Sequence, residues 1–109
     1  MGYDEQLAAR LRKALGSVRG VTERRMFGGI AFMVRGNMCC GVIDDQLMVR
    51  VGPNAHERAL RLAHAKAMDF TGRSLRGFVY VTPEGTRTAR QLRAWVDRGL
   101  RFVVGLAAK

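Results

Sequence analysis

The chain has 109 residues, 48% hydrophobic and 26% charged, which suits one soluble core and is too little for two. Nineteen basic residues, sixteen of them arginine, face nine acidic ones, and the resulting net charge of +10 attracts polyanions. No run approaches the roughly 20 apolar residues that a membrane-spanning helix needs, and Asp4 and Glu5 stand where a secretory leader would be basic, so a cytoplasmic location is expected.

Leu7, Leu11, Leu15 and Val18 fall on one stripe and predict a helix over 4–18, capped by Asp4 and followed by Gly20. Residues 21–25 read as a lead-in. Three apolar runs then fill 26–51, separated by Arg35-Gly36-Asn37 and Asp44-Asp45-Gln46. Connections this short join antiparallel strands, so the block predicts a three-stranded meander. Gly28 and Gly29 are costly in a strand unless a bulge, a bend or a close backbone approach requires them.

After Gly52-Pro53-Asn54 a second helix is predicted over 53–63, with Ala55, Ala59, Leu60 and Ala63 inward. Two further strands are expected over 67–70 and 78–82, joined through Thr71-Gly72-Arg73-Ser74. Thr88 and Gln91 form a capping-box pair ahead of a last helix. Leu92, Val96, Leu100 and Val103 cluster on one side of it, bordered by Trp95, and Gly99 leaves room for a close crossing. Arg87, Arg90, Arg98 and Arg101 cluster on the other side and form a candidate nucleic-acid face. The expected fold class is α+β in the order α-β-β-β-α-β-β-α, an antiparallel sheet with helices on one face. One domain over residues 1–109 accounts for the whole pattern.

Motifs for chemistry are scarce. The chain has no P-loop, no dinucleotide-binding glycine fingerprint, no HExxH and no paired CxxC. Cys39 and Cys40 are neighbours in a predicted strand, so they are expected on opposite faces as reduced packing residues. His56 and His64 are eight residues apart and read as surface or helix-end side chains. Asp44 and Asp45 read as solvated turn residues. No catalytic, cofactor-binding or metal-ligating residue is assigned, and the chain is expected not to be an enzyme. Met26, Met33, Met38, Met48 and Met68 lie in or beside strands, as core filler or as an adaptable protein-binding face.

Arg25-Met26-Phe27-Gly28-Gly29, the Gly36-Asn37-Met38 turn, Met68-Asp69-Phe70 and Gly77-Phe78-Val79-Tyr80-Val81 occur in an order that resembles the N-terminal domain of the TfoX/Sxy competence regulators. The resemblance implies a fold similar to that of secretion chaperones and a non-enzymatic role in transcription. It also implies a protein partner such as the cyclic-AMP receptor protein, with a homodimer as a further option. Full-length members carry a helical C-terminal domain, so the expectation here is a stand-alone N-terminal domain. Arg25, Met26, Phe27, Gly28 and Gly29 are the nearest thing to a signature and form the candidate interaction motif. Direct, weakly specific nucleic-acid binding through the arginine face is the alternative.

Overall fold

The computed structural model describes residues 3–26, 28–70 and 73–108. Helix α1 spans Glu5–Ala14, and the Asp4 carboxylate accepts from Gln6 N (2.9 Å) and Leu7 N (3.1 Å). Satisfying these orphan first-turn donors fixes the start of the helix. It ends before Gly16-Ser17, which favour a turn, and so is shorter than the apolar pattern suggests.

Four strands follow: β1 (Val21–Met26), β2 (Gly29–Val34), β3 (Asn37–Ile43) and β4 (Gln46–Arg50). The expected meander is present, but with four strands before the next helix where three were expected. Residues 21–26, read as a lead-in, pair along their whole length with β2, from Val21 opposite Val34 to Met26 opposite Gly29. The signal was weak because β1 is an edge strand with four exposed central residues, Thr22 to Arg25, and no apolar run. Helix α2 is also shorter than expected. Pro53–Ala55 form a 3-10 turn and only His56–Leu60 are α-helical. Strands β5 (Ala65–Phe70) and β6 (Arg73–Val81) are longer than expected, and Thr71 and Gly72 of their connection lie outside the described residues. The last helix, α3, covers Ala89–Val103 and opens with the full capping box: Gln91 N donates to Thr88 Oγ1 (3.1 Å), and Thr88 N donates to Gln91 Oε1 (3.0 Å).

The six strands form one sheet, ordered β1-β2-β3-β4-β6-β5, with every pairing antiparallel. Helices α1 and α3 pack on one face. Leu7, Leu11 and Leu15 from the first helix region, and Leu92, Trp95, Val96 and Val103 from α3, share a core with Phe32, Val42, Leu47, Val49, Val79 and Val81. The two helices are tied by side chains as well as by apolar contact. Arg93 Nη2 donates to Ala14 O (2.8 Å), and Arg10 Nη2 donates to Thr86 O (2.6 Å). The outgoing end of α3 is held from below, where Arg35 Nη2 donates to Val104 O (3.3 Å) and Asn37 Nδ2 donates to Ala107 O (2.9 Å).

Val96 has no solvent exposure and lies in the centre of this core. Val96→Asp would place an unpaired charge there, and a loss of about 4 kcal/mol or more is expected. Urea unfolding followed by circular dichroism checks this, and a variant that keeps most of its stability would contradict the packing described.

Candidate functional site

The glycines of the candidate motif build the β1–β2 hairpin. Met26 pairs with Gly29, which closes the hairpin. Gly28 has φ +77°, a left-handed conformation that favours glycine. A Cβ on Gly29 would run into the carbonyl of Val42 and lie 2.9 Å from Ile43 Cγ1, so glycine is required for close approach to β3. Phe27 lies outside the described residues. Arg25, Met26, Gly28 and Gly29 line an open depression with Tyr3, of about 430 Å³. Arg25 is exposed and Met26 half-buried, so the motif combines a shaping role with an accessible edge.

Alternation along the strands gives the sheet a second apolar face, opposite the helices. Ala31, Met48 and Met68 are buried at its centre, and half-buried Met26, Met33, Met38, Ile43, Leu75, Phe78 and Tyr80 pack around them. Every one of these residues belongs to a strand. Arg24, Arg50 and Lys66 share the face, because they stand directly opposite Ala31, Phe78 and Tyr80. Arg50 lies over two rings, 5.6 Å from the centre of Phe78 and 5.2 Å from that of Phe102. Gln46 begins β4 two residues before Met48, and its Oε1 is buried with no hydrogen-bond partner among the described residues.

The cysteines do not alternate as expected. Met38 pairs with Met33 and Cys40 with Phe32, which leaves Cys39 as an extra residue in β3. Such a bulge interrupts the period-2 alternation. Cys39 and Cys40 therefore both join the helix-side core, fully buried, with their thiols hydrogen-bonded to each other. The bond to Cys40 and the charge of Arg50 draw the Cys39 thiol below its ordinary pKa. The bond to Cys39 and complete burial push Cys40 well above it. No pattern in one sequence announces a bulge at this position.

His56 also departs from expectation. It is 5% exposed, and its Nδ1 accepts from Gly77 N at 2.9 Å. The Gly77 carbonyl in turn accepts from Val51 N (2.8 Å) and Gly52 N (3.1 Å). A histidine at the start of α2 thus anchors the turn that leaves β4. His64 is exposed, with φ +72°, just past α2. Asp44 and Asp45 are exposed at the β3–β4 turn, and the Asp44 carbonyl accepts from Asp4 N at 2.7 Å.

The arginine quartet of α3 separates into two pairs. Arg98 and Arg101 line a cleft of about 220 Å³ with Arg58 of α2, Phe102 and the loop from Val51 to Ala55. Arg87 and Arg90, at the other end of the helix, are exposed and line none of the described clefts. Arg58 carries no local sign of this placement, since nothing in the sequence relates α2 to the end of α3.

This is a small α+β domain with helices on one side of its sheet and an apolar, basic-edged surface on the other. The TfoX N-terminal domain model matches residues 13–103, and the chain belongs to that family. No curated protein and no solved structure matches it. No helix among the described residues is long and apolar enough to cross a membrane.

The buried dithiol and the buried histidine each lead to an expectation. Because neither sulfur reaches solvent, Ellman's reagent should label neither cysteine in the native protein and both after unfolding in guanidinium. Rapid labelling of the native protein would show that the bulge is open. His56→Ala leaves the Gly77 amide without an acceptor and should cost about 1–3 kcal/mol. His56→Asn, which restores an acceptor near Nδ1, should recover part of that loss in urea titrations.

Proposed function

We propose that this domain is a non-enzymatic interaction module that acts in the cytoplasm by binding a protein on the open face of its sheet. One observation carries the reading: an apolar cluster made only of strand residues, rich in methionine, with a half-buried rim and crossed by no helix among the described residues. Methionine is unbranched and polarizable, which suits a surface that must adapt to a partner. Arg24, Arg50 and Lys66 favour a partner with acidic groups around its own apolar patch. They disfavour a second copy of this chain, which would bring like charges together. Family membership supports a role in competence-type transcription regulation, with a regulator such as the cyclic-AMP receptor protein as the partner.

Met33 is half-buried on this face, and Val104, 53% exposed, belongs to the segment after α3. Met33→Glu should keep the folded circular-dichroism signature and weaken binding to purified, nuclease-treated cyclic-AMP receptor protein by about tenfold or more. Val104→Glu, with the same change of charge, should bind as the parent does. Equal binding by all three proteins in calorimetry, or binding that disappears with nuclease, would contradict the reading.

A further inference from the structure

We infer that the cleft between α2 and the C-terminal half of α3 is a binding site for a phosphate-bearing ligand. Three guanidinium groups line it: Arg58 from α2, and Arg98 and Arg101 from α3. None of the three makes a hydrogen bond or salt bridge among the described residues. The carboxylates next to Arg58 and Arg98 in sequence pair elsewhere. Glu57 lies 3.9 Å from Arg76, and Asp97 lies 3.5 Å from Arg93. Positive charge in the cleft is therefore not neutralised from within the fold, and a low-dielectric wall such as the Phe102 ring strengthens its field.

The contrast with the neighbouring groove is informative. Between α1 and α3, Arg10 and Arg93 also line a cavity, but both already donate to backbone carbonyls, at 2.6 and 2.8 Å. Those arginines hold helices together. The arginines of the α2–α3 cleft have no such work.

The cleft is also held in shape. Gly52, with φ +88°, packs against the Phe102 ring closely enough to exclude a side chain. The Gly77 carbonyl holds the amides of Val51 and Gly52, and His56 holds Gly77. Arg98 lies 5.6 Å from the centre of the Trp95 ring, which limits its freedom before any ligand arrives. Several planar, permanently charged forks around one small cavity match the many oxygens of a phosphate or diphosphate, which can accept bidentate bonds from more than one arginine. A single carboxylate would leave most of this charge unanswered. The site lies on the helical side of the sheet and is independent of the protein-binding face proposed above.

Trp95 is the single tryptophan of the chain, so its fluorescence reports directly on the Arg98 contact. Pyrophosphate titrated at about 0.15 M salt should produce a saturable fluorescence change. Arg58→Gln with Arg101→Gln should weaken it by about tenfold or more, the loss expected for charge-assisted hydrogen bonds. Arg87→Gln with Arg90→Gln removes the same charge away from the cleft, and should change the affinity by less than about twofold at that salt. All four residues are exposed, and thermal melts of both double variants verify that they fold. A second arm uses a short single-stranded oligonucleotide without a terminal phosphate. Pyrophosphate binding assigns the ligand to free phosphate or diphosphate groups. Oligonucleotide binding alone, lost selectively in the cleft variant, assigns it to nucleic-acid backbone. Equal loss in both double variants, citrate binding as tightly as pyrophosphate, or no saturable binding of either phosphate probe would overturn the inference.

Discussion

The seating of α3 on the two central strands is the contact on which the rest of the molecule depends. It is made at Gly99, where a Cβ would lie 3.0 Å from Cys39 O, 3.1 Å from Cys39 Sγ and 3.4 Å from Val49 Cγ1. A helix can approach a sheet this closely only where it lacks a side chain, and interiors packed to crystal density leave little slack to relax a clash. The bulge in β3 and the glycine in α3 are therefore complementary: one pushes Cys39 towards the helix and the other makes room for it. Trp95, Val96 and Val103 then fill the space on either side.

Once α3 is seated, two separate surfaces follow. Its C-terminal half carries Arg98, Arg101 and Phe102 to the loop after β4, where Arg58 of α2 completes a basic cleft. The loop itself depends on a buried hydrogen-bonded chain from His56 through Gly77 to Val51 and Gly52. Because the helices and their aliphatic residues lie on one side, no helix among the described residues crosses the methionine-rich face on the other side. This is the face on which the proposed protein-binding role rests.

The two surfaces differ in what holds their charges. Around α1, arginine acts as structural mortar: Arg10 and Arg93 satisfy carbonyls, and Arg12 pairs with Glu23 across the β1 edge. On the open face Arg50 is spread between two aromatic rings and supports packing as much as charge. In the α2–α3 cleft the guanidinium groups make no hydrogen bond or salt bridge among the described residues, and Arg98 rests against the Trp95 ring. A net charge of +10 therefore describes at least three kinds of arginine, and only their positions in the fold separate them.

The sequence by itself determined the elements whose signals are local. The Asp4 cap, the Thr88–Gln91 capping box, the stripe of α3 and the turns at Gly36 and Asp44 depend on residues a few positions apart, and each is present in the fold. It also carried the family, through ordered short motifs that the match over residues 13–103 supports. The tertiary structure alone decided what depends on distant partners. Edge strand β1 has no apolar run and exists through its pairing with β2. The bulge that turns Cys39 and Cys40 to one side is set by register against β2, and His56 is buried because Gly77, twenty-one residues on, supplies the donor. Arg58 joins Arg98 and Arg101 only because α2 and α3 end beside the same loop. Caps and stripes are written in neighbouring residues, whereas pairing register and convergence of helix ends are settled by packing across the whole chain.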